Sequence, residues 1–195
     1  KAIAVKGTKA VPVANVEAFN KFAAEAKELS NNVEAWQGVK RWGTAGLMEF
    51  ATYKAGSLVA KNYQTSWYPD VEYLGGEEAA RTFWKRHVAC PNCPVHCMKL
   101  GVIRTGGKYD GLIAEGPEYE TGVMMGTNLG VSEFDGYMKS IEECDALGLD
   151  TISTGNVIGF AMELIERGLL KPADIDGYKL PWGDTEAVIK LTRKI

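Results

Sequence analysis

A chain of 195 residues with 46% hydrophobic content has enough apolar side chains for one packed domain and part of a second. Its net charge of −3 excludes a broad nucleic-acid-binding surface, because such a surface needs basic residues to neutralise phosphates. No apolar stretch reaches the length of a membrane span, and the first residues lack the apolar core of a signal peptide. The chain starts without methionine in a strand-like pattern and stops within an amphipathic one, so we expect an internal piece of a longer polypeptide.

The first half of the chain is predicted to contain one strand and three helices. The alternating pattern of residues 1–6 is typical of a strand. Asn15 is the expected N-cap of a helix whose apolar side chains recur at helical spacing as far as Leu29. Further helices are predicted over residues 45–61 and 77–87, and the last of them leads directly into a group of cysteines.

The second half is predicted to form a hairpin followed by helices. A Gly-rich turn at residues 105–108 indicates a β-hairpin within residues 101–111. Ser132 is the expected N-cap of the clearest helix, and Gly148 is expected to end it. Another helix is predicted around residues 157–165. The predicted fold class is therefore mainly α, with short strands at the start and in the middle.

Three cysteines lie within eight residues, in the sequence Cys90-Pro-Asn-Cys93-Pro-Val-His-Cys97. Thiolates at this C-x2-C-x3-C spacing can converge from one loop, and soft sulfur ligands suit iron–sulfur clusters or zinc. Structural zinc usually takes two separated pairs of ligands. Here the fourth zinc ligand would have to be His96 or a distant cysteine. The spacing therefore favours a cubane cluster in a reducing compartment, with zinc as the alternative.

The fourth cysteine is not an evident ligand. Cys144 lies on the apolar face of the helix predicted after Ser132. A buried structural thiol is the favoured interpretation of such a position. We therefore expect the fourth ligand of a cluster to lie beyond residue 195.

Asp145 and Asp150 flank the predicted end of this helix. An anion in a last helical turn opposes the helix dipole unless a donor-rich group faces it. The two carboxylates could therefore accept hydrogen bonds from the N–H edge of a heterocycle such as a pterin. The structural alternative is that Gly148 is an ordinary helix end and Asp150 an ordinary cap of the next helix.

A third segment, Glu115-Gly-Pro-Glu118-Tyr-Glu120, carries three carboxylates in six residues. Gly116 and Pro117 place these carboxylates on a loop. A loop of this kind could position one carboxylate in a pocket as a general acid or base. A solvated acidic loop is the alternative interpretation. Neither acidic segment is specific by itself.

In this order and spacing, the segments resemble the tungsten-containing aldehyde ferredoxin oxidoreductases, a family of bis-pterin enzymes that use tungsten or molybdenum. The resemblance runs across nearly the whole chain. It rests on four blocks, namely Lys-Ala-Ile-Ala-Val-Lys-Gly-Thr, the C-x2-C-x3-C cysteines, Glu-Gly-Pro-Glu-Tyr-Glu-Thr, and Asp-Ala-Leu-Gly-Leu-Asp-Thr-Ile-Ser.

The resemblance implies cofactors and the residues that hold them. Family members bind the metal through the dithiolenes of two pterins, and a nearby [4Fe–4S] cluster passes electrons to ferredoxin. The residues that match the first three cluster ligands are Cys90, Cys93 and Cys97. In the family, the fourth ligand belongs to a later D-x-x-G-L-C motif. The residues that match the pterin motif are Asp145, Leu149 and Asp150. Glu120 matches a glutamate that is proposed to relay protons near the metal.

The resemblance also implies an architecture and a function. Residues 1–14 would end an N-terminal β domain that binds pterin, and residues 15–195 would form most of a helical middle domain. The implied reaction is oxidation of aldehydes to carboxylic acids in the cytoplasm by an oligomeric full-length protein. Ferredoxin or an iron–sulfur partner subunit would accept the electrons.

One motif departs from the family pattern. Some members carry E-x-x-H just before the D-x-x-G-L motif and use it to hold a metal between subunits. Lys139-Ser-Ile-Glu142 occupies the corresponding stretch here, so the ligand set of that metal and the dimer built on it are in question.

Two other functions stay open at the level of sequence. The tungsten subunit of a benzoyl-CoA reductase, which reduces an aromatic ring, would use the same cofactors. A non-catalytic iron–sulfur or zinc module would explain the cysteines but neither acidic segment.

Overall fold

The computed structural model describes residues 3–194, which form eight α-helices and one small antiparallel sheet. The helices of the first half are α1 (Val16–Asn32), α2 (Glu34–Trp42), α3 (Leu47–Phe50) and α4 (Gly76–Thr82). The strands are β1 (Trp84–Val88), β2 (Met98–Val102) and β3 (Ile113–Glu115), with β2 in the centre. The second half adds α5 (Tyr119–Met125), α6 (Phe134–Leu147), α7 (Thr151–Glu166) and α8 (Thr185–Thr192). The mainly α fold class is confirmed.

The hydrophobic core lies between the sheet and the last four helices. Helix α5 packs against α7, and α6 packs against α8. Tyr137 of α6 is fully buried, and its ring meets Phe134 edge-on at a centroid distance of 5.9 Å. Phe134 meets Phe83 in the same way at 5.7 Å. Since edge-to-face pairs stabilise beyond the area that they bury, this aromatic row fixes α6 against the end of α4.

Helices α1 and α2 differ from the rest of the fold. Neither contains a buried residue, and Phe19, Phe22 and Leu29 of α1 are exposed. Helix α2 contacts α4, which joins this helical pair to the core. The first two helices therefore contribute little to the burial of apolar surface among the described residues.

Local sequence signals predicted several elements correctly. Asn15 caps α1 by accepting a hydrogen bond from the Ala18 backbone N–H at 2.9 Å. Strands β2 and β3 form the predicted hairpin. Gly148 ends α6 in the left-handed conformation, with φ of 68°, and the Leu149 N–H folds back to the Cys144 carbonyl. This 6→1 bond is typical of the Schellman motif.

The predicted strand at residues 1–6 is wrong for residues 3–6, and residues 1 and 2 lie outside the described part of the chain. An extended segment becomes a strand only when a neighbour pairs with its backbone groups. The three described strands pair only with one another in the sheet.

Two predicted helices are also corrected. Within residues 45–61, α3 covers only Leu47–Phe50 and continues as one wider turn to Ala55, while the unpredicted α2 precedes it. Gly43 and Gly56 interrupt the helical path because both have positive φ, of 58° and 60°. Within residues 77–87, the helix ends at Thr82 and the remainder joins β1, whose backbone pairs with β2. Tertiary pairing here outweighs local preference.

The cap of α6 is Glu133 rather than Ser132. The Ser132 hydroxyl donates to the Asp70 carboxylate at 2.7 Å and lies 2.9 Å from the Tyr68 hydroxyl. Glu133 accepts the hydrogen bond from the Gly136 N–H at 2.8 Å instead. A contact 62 residues away in sequence thus shifts the helix start by one residue.

Gly122 lies where a side chain cannot fit. A Cβ atom there would lie 2.6 Å from the Tyr137 hydroxyl and 2.8 Å from the Met48 sulfur. We therefore expect Gly122→Ala to lower the free energy of unfolding by about 1–3 kcal/mol, the usual cost of overpacking a core. Urea unfolding of the chain measures this change.

The matched control is Gly38→Ala, which also replaces a helical glycine. Nothing lies within 4 Å of a Cβ atom at Gly38. This variant is expected to gain about 0.5–1 kcal/mol from helix propensity. Equal unfolding midpoints for the two variants would contradict the packing described for Gly122.

Candidate functional site

The loop at residues 116–118 follows β3 and leads into α5. Two hydrogen bonds fix its backbone to the sheet. The Gly116 N–H donates to the Lys99 carbonyl at 2.9 Å, and Trp84 Nε1 donates to the Gly116 carbonyl at 2.6 Å. The carboxylate of this loop is therefore held at a defined position beside β2.

Thr44 fixes the Glu118 side chain from a distant part of the chain. Its hydroxyl donates to Glu118 Oε2 and accepts from the Tyr119 backbone N–H at 3.0 Å. Burial raises the pKa of Glu118, while the Thr44 hydroxyl acts in the opposite direction. Glu118 Oε1 is buried and has no hydrogen-bond partner among the described residues. The loop thus presents one buried oxygen that can accept a further hydrogen bond.

Both acidic segments of the sequence border one cavity of about 340 Å³, which we call the acidic cavity. Its wall is formed by the loop after β3 and by helices α5 and α6. The lining residues are Glu115, Gly116, Glu118, Thr121, Ile141 and Asp145. The Thr121 hydroxyl also lies 2.9 Å from that of Thr151, which joins the cavity wall to the start of α7.

Asp145 is the residue of the predicted pterin motif that borders this cavity. It lies in the last turn of α6, where its charge opposes the helix dipole. Partial burial raises the pKa of its carboxyl, and the charge of Glu142 raises it further. Such a carboxylate gains most from a ligand that donates N–H groups to it.

The other two residues of the motif have structural contacts. Asp150 caps α7 by accepting from the Ser153 N–H at 2.7 Å, and this bond lowers the pKa of Asp150. Leu149 is partly buried against the hydrophobic core. Neither borders the acidic cavity, so their predicted contact with a pterin stays a prediction.

Glu120 lies in the first turn of α5 and is exposed to solvent. It does not border the acidic cavity, which Glu118 borders instead. The predicted role of Glu120 in proton transfer stays a prediction. Sequence patterns could not rank the three glutamates by burial, since Thr44, which fixes Glu118, lies 74 residues earlier.

The three clustered cysteines lie on the loop between β1 and β2. Cys90 is exposed, while Cys93 and Cys97 are partly buried, and all three are free thiols. Burial raises the pKa of the Cys97 thiol, and the charges of Glu118 and Cys93 raise it further. These thiols have the chemistry of cluster ligands, yet residues 3–194 contain no group of three or more acidic, His or Cys side chains placed to hold a metal.

Lys99, which the sequence analysis did not single out, lies directly after this loop. It is buried in β2, and burial lowers the pKa of its ammonium group. Its Nζ donates to the carbonyls of His96 and Cys97 at 2.6 and 3.3 Å. The ammonium also lies 5.6 Å from the ring centroid of Trp84. This cation therefore ties the end of the cysteine loop to the sheet that also holds the acidic loop.

The acidic cavity suits the N–H-rich edge of a pterin. Three carboxylates border it, and one of them offers a buried oxygen without a partner. A buried acceptor left unpaired costs about 1–3 kcal/mol, which a donor on a ligand recovers. The residues present therefore fit one face of the implied cofactor.

Comparison with known families identifies the family to which this chain belongs. A family model described as aldehyde ferredoxin oxidoreductase, domains 2 and 3, matches residues 21–195. The chain belongs to this family.

Individual relatives match over the whole chain. The tungsten-containing aldehyde ferredoxin oxidoreductases of Pyrococcus furiosus and Thermococcus kodakarensis are 36% and 34% identical to it. An aliphatic sulfonate oxidoreductase, WOR-like subunit, of Pyrococcus furiosus is 34% identical. The chain covers 32%, 32% and 31% of these three proteins, so it spans about a third of their length.

Charged side chains occupy the stretch where some family members carry E-x-x-H. Lys139 pairs with Glu142 and, at 2.5 Å, with Glu143, which Arg193 of the segment after α8 also binds. These contacts lower the pKa of Glu143 to about 2, with the hydrogen bond from Arg193 as the main cause. The carboxylates of this stretch are thus neutralised by cations of the same chain.

The environment of Cys144 agrees with the expectation of a structural thiol. The Cys144 thiol is buried in the core, and burial raises its pKa to about 11, as expected for a structural thiol.

Among residues 3–194, every helix falls short of the length and apolar character that crossing a bilayer demands.

The Thr44 hydroxyl provides a test of the geometry around Glu118. Thr44→Val keeps the side-chain shape but removes the donor that stabilises the ionised carboxylate. The pKa of Glu118 is therefore expected to rise further, so that its carboxyl stays protonated to higher pH. Infrared titration of the protonated carboxyl band, assigned with Glu118→Gln, measures this shift.

Thr44→Ser is the matched control, because it keeps the hydroxyl. Its Glu118 titration should follow that of the wild type. An unchanged or lowered pKa of Glu118 in Thr44→Val would contradict the hydrogen bond that we describe.

Proposed function

We propose that this chain is part of a tungsten–pterin oxidoreductase that oxidises aldehydes to carboxylic acids. The acidic cavity carries the proposal, because it brings Glu118 and Asp145, from the two acidic segments, to one wall beside the cysteine loop. Membership of the aldehyde ferredoxin oxidoreductase family supports the same reaction. Ferredoxin or an iron–sulfur partner subunit is the proposed electron acceptor, and the proposed location is the cytoplasm.

The proposed reaction determines which electrons and protons the protein must transfer. An aldehyde and one water give a carboxylic acid, two electrons and two protons. The metal–pterin group, when bound, supplies the two-electron oxidation, and the protein supplies binding, orientation and proton transfer. The carboxylates of Glu118 and Asp145 would accept hydrogen bonds from one pterin, with Leu149 and Asp150 completing the motif at the start of α7.

Glu120 is the proposed proton acceptor near the metal. It lies one residue beyond the Tyr119 N–H that Thr44 binds, so that its backbone position is fixed although its side chain is exposed. Its exposure leaves the carboxylate accessible to water, from which it would take up a proton released during the reaction.

Cys90, Cys93 and Cys97 are the proposed ligands of a [4Fe–4S] cluster, which when bound would provide a one-electron exit. The position of the cysteine loop supports this proposal, since Lys99 and Gly116 join it to the acidic loop through β2. The three thiols must come closer together to hold a cluster, since among residues 3–194 no such group is placed to hold a metal. A loop exposed at Cys90 can make this adjustment at low cost.

The function is tested by aldehyde-dependent reduction of a viologen dye by the full-length protein and by its Glu120→Gln variant. We expect the wild type to be active and the variant to turn over about 10²-fold more slowly, because a general base contributes about that factor. Tungsten and iron contents, measured by elemental analysis, should be equal in both.

Glu17→Gln is the matched control, since Glu17 is likewise an exposed carboxylate in the first turn of a helix. Its turnover should equal that of the wild type. Oxidation of a dienoyl-CoA without any aldehyde activity would favour the benzoyl-CoA reductase alternative and refute the aldehyde proposal. Zinc without tungsten or iron would refute both.

The cysteine ligands are tested separately by serine substitution in the full-length protein. Cys93→Ser and Cys97→Ser are expected to lose most of the cluster iron and acid-labile sulfide, because serine is a poor ligand for iron–sulfur clusters. Cys144→Ser tests a buried thiol outside the loop and should retain both. Full iron content in the loop variants would show that these thiols do not hold the cluster.

A further inference from the structure

Three polar side chains, from α3, α6 and the loop before α5, have buried atoms without hydrogen-bond partners among the described residues. Their buried atoms are the Tyr137 hydroxyl, Glu118 Oε1 and both carboxylate oxygens of Glu49. Tyr137 is fully buried, so that its hydroxyl cannot reach bulk solvent. Native interiors contain few such groups, and each one calls for a physical explanation.

The Tyr137 hydroxyl lies at the junction of α3 and α5. It occupies the space beside Gly122, together with the Met48 sulfur. Gly122 follows Glu118 by one helical turn, and its N–H donates to the Glu118 carbonyl. Met48 directly precedes Glu49 in α3. The hydroxyl therefore lies against the helical turn that follows Glu118, beside the residue that precedes Glu49, and the charges of both glutamates raise its pKa beyond the effect of burial.

Glu49 borders a second cavity, of about 900 Å³, whose wall includes Trp42, Glu77 and His87. Its carboxylate lies so close to Gly75 that a Cβ atom there would be 1.8 Å from Oε1. Burial raises the pKa of Glu49 to about 7 against the opposing effect of the nearby backbone N–H groups of Glu49 and Glu77, and the charge of Glu77 raises it further. Glu49 therefore changes its protonation state near neutral pH, as a proton carrier must.

Burying these three polar groups costs free energy unless a hydrogen-bonding partner, such as water, joins them. An unpaired buried donor or acceptor costs about 1–3 kcal/mol, so phenylalanine at position 137 would fill the same space more cheaply. Bridging water removes this cost, because a water molecule donates to a carboxylate and accepts from a tyrosine hydroxyl at the same time. Water between these side chains would join them into a hydrogen-bonded chain from one cavity to the other.

We propose that Glu118, Tyr137 and Glu49 form a water-bridged proton path from the acidic cavity to the second cavity. The proposal rests on the proposed function, since each aldehyde oxidised releases two protons that must leave as the two electrons do. Glu118 receives a proton on the cavity side. Tyr137 accepts it through water and releases its own hydroxyl proton toward Glu49 in the same step, so that no tyrosinate forms. Glu49 then delivers a proton to the second cavity.

A high-resolution crystal structure of the full-length protein tests the path without any turnover. Ordered water is expected within hydrogen-bonding distance of the Tyr137 hydroxyl and of both carboxyl groups. The structure of the Tyr137→Phe variant should lose the water that the hydroxyl binds while the ring keeps its place against Phe134. A dry interior between these side chains in the wild type would overturn the proposal.

Kinetics of Tyr137→Phe and Glu49→Gln test the path during turnover. Both variants are expected to lower kcat by about 10²-fold with KM, tungsten and iron unchanged, and to increase the solvent isotope effect on kcat. Imidazole, a small proton carrier, should restore turnover in Glu49→Gln. A slower variant without these two signatures, or one with wild-type turnover, would overturn the proposal.

Tyr68→Phe is the matched control, because Tyr68 is also buried and its hydroxyl bonds to Ser132, away from the path. Its kcat and isotope effect should equal those of the wild type.

The proposed function and the proposed proton path fail in different ways. A full-length protein with the bridging water but no aldehyde oxidation refutes the proposed function and with it the path's role in turnover, whereas an active protein with a dry interior refutes the path alone.

Discussion

One hydroxyl group, that of Thr44, connects the parts of the chain on which the acidic cavity depends. It donates to the Glu118 carboxylate and accepts from the Tyr119 N–H, so it orients a side chain and caps α5 at the same time. Without it, the first turn of a seven-residue helix would carry an unpaired donor beside a partly buried acid. The position of the cavity wall is thus set by a contact across 74 residues of sequence.

The same residue type meets opposite electrostatic surroundings in this fold. Glu143 lies between Lys139 and Arg193, and its pKa is lowered to about 2. The carboxylate oxygens of Glu49 are buried, and this desolvation raises its pKa to about 7. The first arrangement holds a permanent charge that joins α6 to the segment after α8, whereas the second keeps a proton that can be exchanged. Structural and functional carboxylates are therefore distinguished by their partners rather than by their sequence motifs.

Signals confined to a few residues could be interpreted correctly from the sequence. The caps at Asn15 and Asp150 and the end of α6 at Gly148 depend only on neighbours within one or two helical turns. The features that the sequence did not reveal depend on distant partners. Strand β1 needs the backbone of β2, and Ser132 is drawn away from its helix by Asp70.

The candidate site likewise contains features that could be predicted from the sequence and features that could not. The clustered cysteines and the two acidic segments were identified because their spacing is visible along the chain. The burial of Glu118, the inward position of Lys99 and the contacts of Tyr137 follow from packing between segments far apart in sequence. No pattern within one segment specifies which of several equivalent carboxylates faces the interior.

The close approach of Tyr137 to α5 also constrains how this chain can change over time. The ring passes over Gly122 and Gly126, where Cβ atoms would lie 2.6 Å from the hydroxyl and 3.2 Å from the ring edge. At Gly126 the Gly122 carbonyl oxygen would lie closer still, at 2.4 Å, and at Gly122 the Met48 sulfur would lie 2.8 Å away. A smaller side chain at position 137 would therefore not by itself make room for alanine at either glycine, because a backbone carbonyl and Met48 restrict these positions as well.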